Sequence, residues 1–242
     1  MILLVRDDRE YLRAPGEELQ TDLGVLTVPE EVEPGQRLET HLGEEFVVRE
    51  PRGPDLFDHF ERTGAPMMPR DIGLVIGMTG AAADDRVLDA GTGTGVLAAY
   101  LGRIGATVRT YEQDPEFADV ARENMRLAGV ADRVDVRTGD VTAELDTLAA
   151  AAGFDLLTLD TADAPSVVRR APDLLASGGF VVVYSPFVEG TRAAVEAADE
   201  AGLSDVETHE TIQRRMQFDE RGSRPDTRGV GHTGYLTVAR LS

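Results

Sequence analysis

Several things are missing from this sequence. There is no cysteine, which excludes disulfides, thiolate zinc sites and a cysteine nucleophile. There is no lysine, so all 24 basic residues are arginines. No apolar run approaches the roughly 20 residues that a membrane-spanning helix needs, and no membrane partner is expected. The opening Met1-Ile2-Leu3-Leu4-Val5-Arg6-Asp7-Asp8 turns charged too early for a secretory leader, so a soluble cytoplasmic protein is expected. Histidine is scarce: His41, His59, His209 and His232 are scattered without ligand spacing, and no metal site is expected.

Acid, by contrast, is abundant. Asp and Glu number 44, and the formal net charge is −20. Such self-repulsion is tolerable where salt shortens the Debye length, to about 3 Å near 1 M. The balance predicts adaptation to a salt-rich cytoplasm. A GC-rich genome would explain the missing lysine but not the acid excess. With 242 residues and 42% hydrophobic content, the chain can bury one α/β core and a small accessory domain.

Two patterns divide the chain near residue 65. Residues 1–65 read as short strands, at 2–6, 10–13, 24–28, 37–42 and 45–49, punctuated by Pro-Gly at 15–16 and 34–35. Pro69-Arg70-Asp71 then opens an apolar helix over 72–78. From residue 86 strands and helices alternate. Strands are expected at 86–90, 107–112, 134–138, 154–160 and 180–185, and helices at 96–103, 115–127, 165–175 and 188–201. Continuous apolar strands such as Phe180-Val181-Val182-Val183-Tyr184 suit a parallel sheet covered on both faces. Final strands are expected at 205–212 and 233–241, separated by an arginine-rich excursion too long for a tight hairpin.

The decisive segment is Val87-Leu88-Asp89-Ala90-Gly91-Thr92-Gly93-Thr94-Gly95-Val96. A strand ends, three glycines turn, and a helix begins. Glycine lets the backbone approach a ligand closely, and the helix start adds oriented N–H donors. The rival dinucleotide fingerprint is G-x-G-x-x-G, whereas here the spacing is G-x-G-x-G with Val96 at the last position and Asp89 ahead of the turn. An acid there receives the amino group of a cationic ligand and repels a pyrophosphate. S-adenosylmethionine carries an ammonium and a sulfonium and no phosphate, so the charge pattern favours it over NAD. The bland reading is a glycine turn that binds nothing.

Acids recur at the ends of the next strands, where ligands of open α/β sheets sit. Glu112 is placed to reach ribose hydroxyls, or else is a solvated strand-end charge. Asp140, before Val141, is placed to accept from the adenine amine of the cofactor, or else caps the following helix. Asp160 points toward the reactive methyl. Tyr184, before Ser185-Pro186, lines an acceptor pocket or belongs to the core.

These residues resemble the tRNA (adenine-N1)-methyltransferase family, the T-loop enzymes, in its archaeal branch. The match runs along essentially the whole chain. Met68-Pro69-Arg70-Asp71-Ile72-Gly73 resembles its Y-P-K-D-I-G, and Asp89–Gly95 its E-A-G-T-G-S-G. Leu159-Asp160, Tyr184-Ser185-Pro186, Arg224-Pro225 and His232-Thr233-Gly234-Tyr235-Leu236 continue the likeness. The resemblance implies a class I methyltransferase fold, a Rossmann-like seven-stranded doubly wound sheet with a small N-terminal β domain over 1–65 and the catalytic domain over 66–242. It implies S-adenosylmethionine bound by Met67, Gly91, Thr92, Gly93, Thr94, Gly95, Val96, Glu112, Asp140, Val141 and Asp160. Asp160 would be the main catalytic residue, with Tyr184, Arg214, Arg215 and His232 as tRNA-binding residues, in a homotetramer.

Departures are visible. The family's tyrosine is Met68, its lysine is Arg70, and a glutamine expected after Ser-Pro is Gly190. The segment holding Arg214, Arg215, Arg221, Arg224 and Arg228 also holds Asp219, Glu220 and Asp226, so an internally paired loop competes with phosphate binding. Two other functions remain open on the glycine loop alone: a methyltransferase for isoaspartyl protein or a small metabolite, and a non-catalytic subunit that kept the fold.

Overall fold

The computed structural model describes residues 1–229 and 231–242. The N-terminal β domain comprises β1 (Ile2–Arg6), β2 (Arg9–Arg13), β3 (Glu18–Thr21), β4 (Gly24–Thr27), β5 (Arg37–Glu39) and β6 (Glu45–Arg49). Four of these make an antiparallel sheet in the order β2-β1-β6-β5, and β3 pairs with β4 in a separate hairpin. β1 explains how the domain is attached. Its side chains alternate across the sheet: Ile2 and Leu4 join Leu19, Leu26, Phe46 and Val48, while Leu3 and Val5 join Leu56, Ile72, Val75 and Val87 of the elements that follow.

Two helices lead onward, α1 (Gly53–His59) and α2 (Pro69–Thr79). α1 escapes the sequence pattern because seven residues bury only Leu56, too few for a helical period. Both helices start on a proline in the first turn, where the missing N–H is not needed.

The large sheet then forms from β7 (Arg86–Ala90), α3 (Val96–Arg103), β8 (Thr107–Glu112), α4 (Pro115–Ala128) and β9 (Val134–Thr138), and, after a 3₁₀ turn (Val141–Glu144) and α5 (Leu145–Ala150), from β10 (Phe154–Leu159). There follow α6 (Ala164–Arg169), α7 (Ala171–Leu174), β11 (Leu175–Ser185), α8 (Val188–Glu200), β12 (Ser204–Glu210), β13 (Met216–Asp219), β14 (Gly222–Pro225) and β15 (Tyr235–Arg240). The seven strands run in the order β12-β15-β11-β10-β7-β8-β9. All ladders from β9 to β11 are parallel, and β15 is antiparallel to both its neighbours. This is the class I methyltransferase sheet. From β7 the chain winds outward to β8 and β9, then crosses back to β10, so the strand order reverses between β7 and β10. A crevice opens there beyond the carboxyl ends of the strands. Among the described residues no helix is long and apolar enough to cross a membrane.

The structure revises three expectations. The helix expected over 165–175 is two short helices, because Pro172 in the first turn of α7 starts a new one. The strand expected from Phe180 begins at Leu175, and Gly178-Gly179 lies inside it opposite a register shift between Phe154 and Leu156. Glycines inside strands commonly mark such bulges. The strand expected over 205–212 stops at Glu210. As expected, the last two strands of the large sheet, β12 and β15, are joined by a long excursion and not by a tight turn, and the excursion holds a hairpin of its own, with Met216 paired to Pro225 and Asp219 to Gly222.

Candidate active site

The glycine turn is shaped by what it must touch. Gly91 has φ +87°, and a Cβ there would sit 2.0 Å from the Asp160 carbonyl oxygen. No residue but glycine fits. Gly95 has φ +80° and packs against α4, where a Cβ would meet the Met125 methyl at 2.6 Å. Gly93 differs. Its φ is +51°, yet a Cβ would meet nothing within 4 Å. Its bare face opens onto the crevice, a cradle that a side chain would fill. The N–H groups of Gly91 and Thr92 donate to the Tyr111 carbonyl, at 2.9 and 3.3 Å, and that of Gly95 to the Thr92 carbonyl.

Behind the loop lies a hydroxyl–carboxylate row across three strands. Asp89 on β7 is 5% exposed, and its two oxygens accept from Thr110 on β8 and Thr158 on β10, each at 2.5 Å. Thr92 in turn bonds Thr110. Burial pushes the Asp89 carboxyl upward, opposed by the two threonine hydrogen bonds. Glu112 holds the loop from the front, accepting from the Gly93 N–H at 2.9 Å and from the Asp114 N–H at 3.1 Å.

Asp160 follows β10, its N–H donating to the Ala90 carbonyl. Its carboxylate reaches crevice solvent but is crowded by protein. Burial, followed by the nearby negative charges of Asp89 and Glu112, pushes its pKa up to about 7. Three acids around one glycine turn make a site that favours a cation. The residues therefore fit S-adenosylmethionine and not a dinucleotide.

Three cavities meet here. One of about 270 Å³ runs between Gly91, Gly93, Tyr111, Glu112, Gln113, Phe117, Gly139 and Val141, a shape for an adenosyl group. A second lies under the loop between Met67, Asp89, Thr92, Thr94, Gly95 and Val96. The third, about 590 Å³, is mostly apolar and is walled by Pro165, Val183, Tyr184, Pro186 and Phe187, with Glu189 at its side. Asp160 lines all three.

The expected cofactor residues converge, with one exception in detail. Met67 is 8% exposed and covers the loop. Gly139 and Val141 line the first cavity, but the Asp140 carboxylate between them turns to the Thr142 N–H and hydroxyl, at 2.8 and 2.7 Å. It caps the 3₁₀ turn, and those bonds hold its carboxyl below the usual range. Tyr184 stands in the chamber wall. Its ring lies against Gly234, where a Cβ would meet it at 2.5 Å, and burial pushes its hydroxyl pKa up, opposed by the nearby Thr233. Thr233 donates to the buried Asp71 at 2.9 Å and accepts from Arg70 at 3.0 Å, which ties the segment leading into the final strand to α2.

The other expected tRNA residues lie away from the crevice. His232 has both ring nitrogens engaged, one with Glu210 at 2.7 Å and one with the Pro186 carbonyl at 3.1 Å. Both partners are acceptors, and they push its pKa up. It braces the chamber wall from behind. Arg214 lines a separate cavity of about 350 Å³ with Ile212, Pro225 and Arg228, and Arg215 is exposed beside it. Arg221 and Arg228 pair with Asp219 and Asp226, the internally bonded arrangement weighed above.

One structural residue went unread. Asn124 on α4 is fully buried and donates to the carbonyls of Thr94 and Glu61, at 2.9 and 3.0 Å, while accepting from the Glu61 N–H. It clamps the glycine turn to the segment leading into Met67. Its signal in sequence is an amide among Ala118, Ala121, Met125 and Ala128, the buried stripe of α4.

Residues 60–222 match the family model for the tRNA methyltransferase complex GCD14 subunit. The chain is 34% identical to the tRNA (adenine(57)-N(1)/adenine(58)-N(1))-methyltransferase TrmI of Methanocaldococcus jannaschii, over 98% of this chain and 92% of that protein. It is 29% identical to the tRNA (adenine(58)-N(1))-methyltransferase TrmI of Thermus thermophilus, over 99% of this chain and 96% of that one. Among solved structures, an S-adenosylmethionine-dependent O-methyltransferase from Thermotoga maritima superposes with a TM-score of 0.79 at 26% identity, covering 99% of this chain and 92% of that one.

Proposed function

This chain belongs to the tRNA methyltransferase family of the GCD14 subunit, and on that premise we propose that it methylates N1 of adenine in the T loop of tRNA, using S-adenosylmethionine. The target is position 58, with the neighbouring 57 as a second target, as both stand in the name of the archaeal relative. The observation that carries the reading is Asp160, shared by the acid-lined cofactor crevice and the apolar chamber beside it.

The glycine turn, Met67, Glu112 and Val141 would hold the cofactor, with Asp89 behind the turn. When bound, the cofactor supplies an electrophilic methyl group and keeps the bonding electron pair on its sulfur. Adenine N1 carries an in-plane lone pair and needs no prior loss of a proton. Alkylation leaves a positive charge spread over N1 and the 6-amino group. An ionised Asp160 accepting from that amine stabilises the charge as it develops and keeps the base in line. In folded tRNA the base is tied up, so it must be extruded to enter the chamber. Tyr184 forms its wall, and His232, Arg70 and Asp71 position that wall. Arg214 and Arg215 supply phosphate contacts at a distance.

The acid excess fits a salt-rich cytoplasm, where phosphate attraction is screened and shape and stacking carry more of the binding. The exposed Ile212, Met216 and Phe218 around the β13–β14 hairpin offer apolar surface that a homotetramer would cover. The natural division of the chain falls at residues 65 and 66, between the β domain and the catalytic domain.

The test is methyl transfer from labelled cofactor to unmodified tRNA, followed by nucleoside digestion and primer extension. Label in 1-methyladenosine is expected, with reverse-transcription stops at one or both T-loop positions. The likeness to the Thermotoga protein favours a second reading, an oxygen acceptor whose hydroxyl proton Asp160 would take. Label found only in O-methyl groups would select it and overturn the first.

A further inference from the structure

The acceptor chamber contains two aromatic side chains, Tyr184 and Phe187, and they are held in opposite ways. Tyr184 is part of the wall: half-buried, with one side of its ring pressed against Gly234. Phe187 is 69% exposed. Its backbone is nevertheless fixed. The Phe187 carbonyl accepts from the Ser185 hydroxyl at 2.9 Å, from the Thr191 hydroxyl at 3.1 Å and from the Thr191 N–H at 3.2 Å, and its N–H donates to Ser185 at 3.3 Å. Gly190, one turn further along α8, leaves room for that arrangement, since a Cβ there would sit 2.4 Å from the Ser185 hydroxyl oxygen. A ring on a rigid stem, with an unpacked face in an apolar chamber, is preorganised for a flat partner.

The charges around it narrow the partner. Asp160 and Glu189 are the charged residues of this lining, and both are acids. A phosphodiester is therefore disfavoured inside, while a neutral heterocycle that becomes cationic on methylation is favoured. We propose that Phe187 is the platform on which the extruded adenine stacks, opposite the edge that Asp160 reads. This rests on the tRNA reading given above. It also assigns Ser185, Thr191 and Gly190 to fixing the ring's stem.

The chain has no tryptophan, so Phe187→Trp introduces one indole at the site, excited at wavelengths where the tyrosines do not absorb. Its emission is expected to be quenched by an unmodified tRNA transcript and not by the same transcript made abasic at the T-loop adenines. Phe187→Ala is expected to lower kcat/KM for tRNA by about 10- to 100-fold, the scale of one base–aromatic stack. Its affinity for S-adenosylmethionine, read by calorimetry, stays within about twofold. Phe187→Trp retains activity, and Phe187→Leu, apolar but without a π-face, behaves as the alanine variant. Full activity of the leucine variant, or emission indifferent to the missing bases, overturns the platform while leaving the tRNA reading intact. A wild-type chain that leaves tRNA unmethylated overturns both.

Discussion

The two sides of the crevice are built on different principles. On the cofactor side nearly every contact is dictated by backbone: Gly91 against the Asp160 carbonyl, the N–H groups of Gly91 and Thr92 on Tyr111, and the Gly93 N–H on Glu112. A cofactor bound here would meet main chain and carboxylates, where few substitutions fit. On the acceptor side a larger apolar volume is enclosed by side chains drawn from β10, β11 and α8, buttressed from behind by residues that never face it, such as Thr233 and His232. One side fixes the chemistry of a constant cofactor. The other can be retuned for its substrate.

That contrast is sharpest at Asp160, which belongs to both sides. Asp160→Ala is expected to reduce kcat about 1,000-fold or more, from the loss of a charge placed where the transition state becomes positive. The Kd for cofactor changes only a few-fold, because Glu112 and the loop remain. Equal losses in both, measured by single-turnover kinetics and calorimetry, would break the distinction. Gly91→Ala strikes the cofactor side first. The overlap with the Asp160 carbonyl at 2.0 Å and the φ of +87° force the loop to move, and cofactor affinity is expected to fall about 100-fold or more, the cost of strained backbone plus lost loop contacts.

The smallest effects come from pH. Burial and the neighbouring acids push the Asp160 pKa up to about 7, and only its ionised form accepts from the adenine amine. kcat/KM is therefore expected to rise with pH through about 7 and then level off. Stability runs the other way. A folded pKa above the ordinary 3.8 means that Asp160 contributes stability at low pH that is lost as pH rises through 7. Asp160→Asn is expected to raise Tm at pH 8 while abolishing most activity. Because water in the crevice reaches the carboxylate, the gain is small, about 1–3 °C by differential scanning fluorimetry. No gain at pH 8 would remove the claim that this site is held at a cost to the fold.

The same contrast governs how much could be read from sequence. The parallel core strands, the glycine turn and the acids at strand ends were legible because close backbone approach leaves a glycine signature and buried parallel strands leave continuous apolar runs. The chamber was only partly legible. Tyr184 sits on a strand end and could be named, but Phe187 reads as one apolar residue before a helix. Asp140 illustrates the converse: its place at a strand end is right, while its carboxylate is spent on Thr142. A side chain's direction is set by local hydrogen bonds that spacing does not encode. The early start of β11 at Leu175 escaped for a related reason, since whether a glycine pair interrupts a strand depends on the strand beside it.

The placement of β1 has a consequence for how this molecule melts. Its odd and even side chains are stitched into separate apolar clusters, one within the β domain and one running under the catalytic sheet. Neither cluster can open without pulling on the other. The protein should lose its structure as one cooperative unit, and removal of the first thirteen residues should make the catalytic portion aggregate, since Leu56, Ile72 and Val75 would lose their cover.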